Sequence, residues 1–295
     1  MSDPSASASP SSPLGALSSA LADLVRLAAP SVVSIEGRRS RSSGFVWRPG
    51  LIAAAEEALA DEDEIRVVAH GGAASMGEFV GRDPSSDVAL LRVQGLDLPA
   101  ATHGGAAVAG GLAVVVGARD GAPTATLGLV SFSGPKWRSL RGGVVDARIE
   151  LDAKLTRASE GGLALDAVGH ALGMAVFGPR RRTLVIPSPT IDRVAQTLVE
   201  KGRMARGYLG LSLQAVKLEA DGSGLMAMSV DPKGPGAAAG VRQGDVIVAW
   251  NGEAIRGLHH LLRALGPDSV SASVKLSLRR AGEPMEATLI VGERP

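Results

Sequence analysis

Pro235-Gly236-Ala237-Ala238-Ala239-Gly240-Val241-Arg242-Gln243-Gly244-Asp245-Val246-Ile247 is the stretch around which the C-terminal third of the chain organises itself. Gly240 and Gly244 bracket a tight loop, and an apolar strand restarts directly after Asp245. Short apolar runs lie on both sides of it. Gly207–Leu213 and Gly224–Val230 precede it; Asp245–Trp250, Ser273–Arg280 and Met285–Val291 carry the pattern onward. One segment, Leu258 to Leu265, has helical spacing, with Leu258, Leu261, Leu262 and Leu265 on one face. Residues 207–295 therefore read as a small α+β unit. The basic stretch Arg203-Met204-Ala205-Arg206 reads as the linker, 203–206, that joins it to the rest.

Upstream the pattern is strand-rich. A helix is predicted from Thr190 to Gly202, with Ile191, Val194, Ala195, Leu198 and Val199 on one face, Thr190 as cap and Gly202 as stop. Before it, apolar runs recur between Gly, Pro and Asp/Ser clusters: Val32–Ile35, Gly44–Trp47, Ile65–Ala69, Glu78–Gly81, Val88–Val93, Leu112–Gly117, Thr126–Phe132 and Arg148–Asp152. Many short strands at close spacing predict an all-β barrel or sandwich over 30–202. Residues 13–29 read as a short amphipathic helix, with Leu14, Leu17, Leu21, Leu24, Val25 and Ala28 at helical spacing, expected to dock on the body. Residues 1–12 are Ser/Pro/Ala-rich, a disordered tail by composition.

Composition narrows the function. With 31 Lys+Arg against 30 Asp+Glu in 295 residues, no net field favours a phosphate backbone, and no nucleic-acid partner is expected. The absence of cysteine excludes disulfides, thiolate metal sites and thiol nucleophiles. Nor is a metal or other cofactor expected. No basic n-region and clean apolar h-region stand at the start, and no apolar run reaches bilayer length. The expectation is a cytoplasmic protein without a transmembrane segment, or a periplasmic one if the native N-terminus differs.

Arg206-Gly207-Tyr208-Leu209-Gly210-Leu211 followed by the Pro235–Ile247 pattern resembles the PDZ domain of HtrA/Deg-type proteins. The resemblance places a carboxylate-binding loop at Tyr208, Leu209, Gly210 and Leu211 and a groove wall at Leu258, Leu261, Leu262 and Leu265. A peptide there would add a strand while its terminal carboxylate meets backbone N–H groups. The first unit resembles the chymotrypsin-like domain of the same family. Ser43-Gly44-Phe45-Val46, Gly81 to Leu91, Thr126-Leu127-Gly128-Leu129-Val130-Ser131 and Leu184-Val185-Ile186-Pro187 match its G-S-G-F, Asp-bearing, T-x-G-x-V-S and F-A-I-P strands. The implied fold is mainly β: a chymotrypsin-like double six-stranded barrel followed by a small α+β PDZ domain.

The chemistry departs from the family. A serine protease needs a hydroxyl nucleophile, an imidazole that takes its proton, an Asp that orients the ring, and N–H donors for the oxyanion. Asp87 fills the Asp position. Glu57, in Ala54-Ala55-Glu56-Glu57-Ala58-Leu59, stands where the family has histidine. In Asp152-Ala153-Lys154-Leu155-Thr156-Arg157-Ala158-Ser159-Glu160-Gly161-Gly162, Gly161 and Gly162 keep register. Glu160 then takes the serine position and Ala158 that of the oxyanion-loop glycine. Loss of one triad member costs roughly 10⁴–10⁶ in kcat. Ser159 adjoins the right place but points elsewhere in a tight turn. His70, His103 and His170 read as surface or loop residues, while His259 and His260 open the PDZ helix, where they can touch bound peptide.

Converging carboxylates need relief, since two charges about 4 Å apart repel by about 4 kcal/mol at an effective dielectric of about 20. A retained proton, a cationic neighbour such as Lys154 or Arg157, a bound cation, or solvation of Glu57 at an open rim would each supply it. The runs Ala60–Glu64, Arg38–Arg41 and Arg180–Arg182 read as solvated faces, the two basic ones as candidate contacts for acidic partners. The leading expectation is thus a pseudo-protease, a serine protease homologue whose PDZ groove binds peptide C-termini or unfolded protein segments. The alternatives are an active serine endopeptidase of protein quality control and a carboxylate-cluster cation site. The family forms trimers through its N-terminal segment, so a homo-oligomer is carried as an implication, although residues 13–28 lack aromatics.

Overall fold

The computed structural model describes residues 12–62, 64–218 and 222–294. The tail expected over 1–12 lies, up to residue 11, outside the described residues. Two compact units emerge. One gathers the residues up to Phe79 with Ala89–Gly134 and Arg148–Ile191; the other gathers Val80–Val88, Pro135–Ala147 and Asp192–Pro295.

Helix α1 (Pro13–Ala28) forms where the periodicity puts it. Ser12 caps it by accepting the Gly15 N–H at 3.1 Å, and Pro13 occupies the first turn, where its missing N–H costs nothing. Of the apolar face expected to dock, the N-terminal end stays open. Leu14 is 76% and Leu27 69% exposed, and Ala28 alone is buried. Leu21, Leu24 and Val25 are half-buried, and the short turn Ala29–Ser31 leads straight into the barrel, so the C-terminal half of the helix covers its apolar face.

The first barrel closes in the order β1-β2-β3-β6-β5-β4 from β1 (Val32–Glu36), β2 (Arg41–Arg48), β3 (Leu51–Ala54), β4 (Ile65–Val68), β5 (Ala74–Asp83) and β6 (Val88–Val93). Val33, Ile35, Val46, Ile52, Ile65, Val67 and Leu91 fill it, with Leu59 from the turn after β3. The acidic run after that turn is not simply solvated. Glu62 is buried and accepts the Arg38 and Arg39 N–H groups at 2.6 and 2.8 Å, bracing the loop that carries the first basic run. Those backbone bonds hold its carboxyl below the usual range against the opposing effect of burial.

The second barrel is built from β7 (Leu112–Arg119) and β8 (Ala122–Gly134), a small hairpin of β9 (Trp137–Arg138) and β10 (Val144–Val145) that stands apart, and then β11 (Arg148–Asp152), β12 (Leu163–Leu165), β13 (Ala171–Phe177) and β14 (Thr183–Pro187). It closes as β11-β14-β13-β12-β7-β8. Closure leaves no open sheet edge, which is how strands this short bury every ladder group. Helix α2 (Ser188–Lys201) begins two residues earlier than predicted. Pro189 suits a first helical turn, so Thr190 lies inside the helix rather than capping it. Its Ile191, Val194, Ala195 and Leu198 are fully buried, and the Gly202 N–H closes the helix onto the Leu198 carbonyl.

The remaining strands are β15 (Gly207–Tyr208), β16 (Leu211–Leu218), β17 (Gly222–Val230), β18 (Val246–Trp250), β19 (Glu253–Ala254), β20 (Ser273–Arg280), β21 (Glu283–Ile290) and β22 (Gly292–Glu293). The main sheet runs β16-β17-β18-β20-β21, with β19 on β18 and β15 on β22. Two short helices join it. The Pro235–Ala239 stretch winds into α3 (Pro235–Ala238), started by a proline whose missing N–H suits that position, and α4 (Leu258–Ala264) follows. Leu225, Ala227, Ile247, Leu261, Leu276 and Leu278 form the core. Asp245 is buried and held by Arg280 through two contacts of 2.8 Å and by the Arg242 N–H at 2.8 Å, which keeps its carboxyl below the usual range.

Candidate active site and peptide groove

The loop after β11 carries the position in which the sequence places a protease nucleophile. Thr156 opens a single tight turn, Arg157–Ser159, and Glu160 leaves it in extended conformation. Five hydrogen bonds close the turn, three of them at 3.0 Å or less. The Glu160 N–H and the Ser159 N–H both donate to the Thr156 carbonyl at 3.0 Å, and the Ser159 and Thr156 hydroxyls lie 2.9 Å apart. An oxyanion hole would need the Glu160 N–H aimed at substrate. Here it points back into its own loop.

Strand β2 fastens this loop from the first barrel. The Ser43 N–H donates to the Glu160 carbonyl at 2.7 Å, the Ser43 hydroxyl donates to the Ala158 carbonyl at 2.6 Å, and it accepts the Ala118 N–H at 2.8 Å. Gly161 has a φ of +82°, and a Cβ there would lie 2.2 Å from the Ser43 carbonyl oxygen. Close approach of two backbones, independent of any chemistry, is enough to require glycine there.

Glu160 is 9% exposed, and its carboxyl sits above the usual range. Burial is the main cause. The Phe177 N–H, which the carboxylate accepts, opposes it; the nearby charge of Glu57 adds to it; Arg157 and Arg181 offset it in part. The structure therefore brings Glu57 and Glu160 within electrostatic reach, and of the sources of relief it displays a cationic field and a tendency to keep the proton. Glu57 itself, in the short turn Glu57–Leu59, is exposed, whereas its neighbour Glu56 is buried. Asp87 belongs to the other unit, at the end of a turn that buried Asp83 organises by accepting the Ser85 N–H at 3.0 Å and the Ser86 hydroxyl. Asp87 adopts a left-handed φ of +59°. Among the described residues no group of three or more His, Cys, Asp or Glu side chains is arranged to hold a metal ion, so the cation-site alternative gains no support.

The histidine contacts involve other groups. His170 faces Asp166 at 3.7 Å in a turn, His260 faces Glu253 at 3.7 Å, and both ring nitrogens of His103 are buried without a hydrogen-bond partner. Among the described residues no histidine nitrogen is hydrogen-bonded to a serine hydroxyl, and the Ser159 hydroxyl is turned to Thr156.

In the C-terminal unit, β16 is an edge strand of its sheet. The loop before it is shaped by Gly210, with a φ of +69°, whose carbonyl accepts the Asp231 N–H at 2.8 Å; the Leu209 carbonyl accepts the Gly236 N–H at 2.7 Å. The Leu209 and Gly210 N–H groups donate to no acceptor among the described residues. Tyr208 pairs with Gly292 and donates its hydroxyl to Asp231 at 3.0 Å. The leucine face proposed for α4 divides. Leu261 is buried in the core and Leu265 packs against it, while Leu258 is 41% exposed and Leu262 half-buried. Leu209 likewise belongs to the core. A seven-residue helix that must both cover the sheet and wall a groove cannot offer every apolar residue to a ligand.

Comparison with known proteins follows the same division. The family described as "Trypsin-like peptidase domain" matches residues 42–174, and "PDZ domain" matches 207–291. A protein of Bartonella henselae described as "Probable periplasmic serine endoprotease DegP-like" is 32% identical over 258 residues, covering 82% of this chain and 51% of its own length. This is an HtrA-type chain. A protein of Halomonas elongata with the same description is 30% identical over 277 residues, covering 88% of this chain and 58% of its own. The HtrA-type chain thus spans about half the length of the curated relatives it matches. Among solved structures, the serine endoprotease from Yersinia pestis superposes with a TM-score of 0.68 at 23% identity, over 98% of this chain and 100% of that one. An HtrA-type protease, AlgW with decapeptide, gives 0.66 at 23% identity over 93% and 99%. Both likenesses concern the fold.

The relatives' descriptions are periplasmic, so the cytoplasmic expectation finds no support in them. No described helix is long and apolar enough to cross a membrane. Sequence reasoning missed the Ser43 fastening and the Phe177 N–H beside Glu160. Nothing in the local sequence signals either, because each contact spans a long sequence separation between elements of the HtrA-type fold.

Proposed function

We propose that this HtrA-type chain holds polypeptide without cutting it. Its barrels act as a catalytically silent scaffold, and its PDZ groove captures peptide C-termini or unfolded segments by strand addition to β16. The observation that carries the reading is the Glu160 loop. A carboxylate stands at the nucleophile position, and the N–H that would polarise a scissile carbonyl is spent on Thr156. The unengaged N–H groups of Leu209 and Gly210 support carboxylate capture at the other end. Glu57, Asp87, Glu160 and Ala158 are, on this reading, the degenerate counterparts of His, Asp, Ser and the oxyanion glycine.

The comparisons favour a second reading, an active serine endopeptidase, because the curated relatives are described as serine endoproteases. The same relatives support a periplasmic address. Casein and fluorogenic-peptide hydrolysis, together with fluorophosphonate labelling, separate the two. The silent scaffold gives neither turnover nor a labelled serine; turnover abolished by a serine-directed inhibitor establishes the endopeptidase.

A further inference from the structure

One end of the second barrel concentrates more positive charge than the single buried Glu160 carboxyl beside it draws on. Thr183 ties two loops together there: its backbone pairs with Leu151 and Phe177, and its hydroxyl donates to the Ala153 carbonyl at 2.7 Å. The loop after β11 thereby presents Lys154 and Arg157 beside the β13–β14 loop, which presents Arg180 and Arg181, all four exposed. The acids of this end are largely committed. Glu150 is buried between Arg148 at 2.6 Å and Arg182 at 3.1 Å, and buried Glu160 accepts the Phe177 N–H, leaving Asp152 as the exposed carboxylate. Among the described residues Lys154, Arg157, Arg180 and Arg181 have no carboxylate within ion-pair distance, and Arg181 lies over the Phe177 ring at 4.7 Å.

The backbone adds an independent observation. Arg180 and Arg181 both adopt a φ of +58°, a left-handed conformation that favours glycine and is uncommon for a long side chain. Two consecutive arginines kept where glycine would relieve strain point to a use for their charge, since strain of this kind persists where function requires it.

We propose that this end of the barrel is a docking surface for acidic polypeptide segments, held by Lys154, Arg157, Arg180 and Arg181. A polypeptide suits it better than a nucleic acid. The chain as a whole is nearly neutral, with a formal charge of +1, so it lacks the wide positive field by which phosphate backbones are gathered. The half-buried Phe177 ring beneath Arg181 holds that guanidinium at the surface. This surface uses none of the residues of the PDZ groove and does not depend on whether the chain is a protease.

The test uses the full chain and a fluorescein-labelled, Glu-rich twelve-residue peptide with an amidated C-terminus, which withholds the carboxylate a PDZ loop recognises. Anisotropy titration is expected to give salt-sensitive binding, weakened about tenfold or more by Arg180→Gly with Arg181→Gly and also by Lys154→Gln with Arg157→Gln. Arg119→Gln, an exposed charge elsewhere on the same barrel, leaves it unchanged. The glycine pair removes left-handed strain, so its melting temperature stays level or rises while binding falls, which separates lost docking from lost folding. Equal affinity in wild type and both double variants overturns the proposal. So does an oligonucleotide of equal charge that binds more tightly than the peptide, which would assign the surface to nucleic acid.

Discussion

On the silent-scaffold reading, restoring the triad side chains alone is expected to recover little protease activity, because the Glu160 loop also turns its N–H away from where an oxyanion would lie. With Glu57→His, Ala158→Gly and Glu160→Ser combined, the residue types of a serine protease return. The residue-160 N–H still has to leave the Thr156 carbonyl before it can serve an oxyanion. Opening the turn gives up the bonds from the 160 and 159 N–H groups at 3.0 Å and the hydroxyl pair at 2.9 Å. At about 1 kcal/mol net for each, the closed loop is favoured by about 3 kcal/mol, an open population of roughly one in 150. Loss of one oxyanion donor independently predicts a deficit of about 10²–10³ in kcat, the same scale. Adding Thr156→Ala keeps both backbone bonds but removes the hydroxyl pair, about 1 kcal/mol of that sum, so turnover should rise about fivefold over the triple variant. Fluorogenic-peptide hydrolysis under single-turnover conditions reads both steps. If the triple variant already cleaves at full rate, or Thr156→Ala leaves its rate unchanged, the loop is not a second barrier and the reasoning fails.

Three further outcomes are expected. Glu160 titrates above the usual carboxyl range, so the native state binds more protons than the unfolded chain between the two values. Its contribution therefore favours folding at acid pH and is lost as pH rises through the raised value; Glu160→Gln should flatten that alkaline decline in urea-denaturation profiles. Asp245 behaves oppositely. Its carboxyl is held low, so its stabilisation is present above the usual range and is lost as pH falls through the depressed value; Asp245→Asn should cost about 3 kcal/mol near neutrality and progressively less in acid, read by the same denaturation series. Gly161→Ala, at φ +82° and against the Ser43 carbonyl, should destabilise the barrels by about 3 kcal/mol from left-handed strain plus overpacking, and a melting curve that matches wild type would refute the packing explanation for that glycine.

Much of the architecture was legible because its signals are local. Alternating apolar runs between glycine-rich turns marked the strands, and Ile191, Val194, Ala195 and Leu198 marked the buried stripe of α2. The errors also have local causes. Helical spacing in Pro13–Ala28 announced an apolar face without saying how far it is covered, and α1 leaves Leu14 and Leu17 exposed while Leu21, Leu24, Val25 and Ala28 are at least half-buried. An acidic run looked solvated, yet Glu62 turns inward to take two backbone N–H groups from a loop 23 and 24 residues away. The α4 leucines shared a face, but the sheet beneath claims Leu261 while Leu258 stays in water.

The order of the motifs and the strand-rich body followed by a small α+β unit were written in the chain itself, because residue identity and spacing carry them; the pair of barrels, and the proposal that Glu57 and Glu160 stand where the family carries histidine and serine, came from the family resemblance of those motifs. Tertiary structure alone decided how those acids sit. The turn that consumes the Glu160 N–H, the Ser43 hydroxyl that clamps Ala158, the burial that keeps Glu160 inclined to hold its proton and the gathering of four cations at one barrel end all depend on elements far apart in sequence. Hydrogen bonds and electrostatic fields depend on distance in space, and only the closed barrels set those distances.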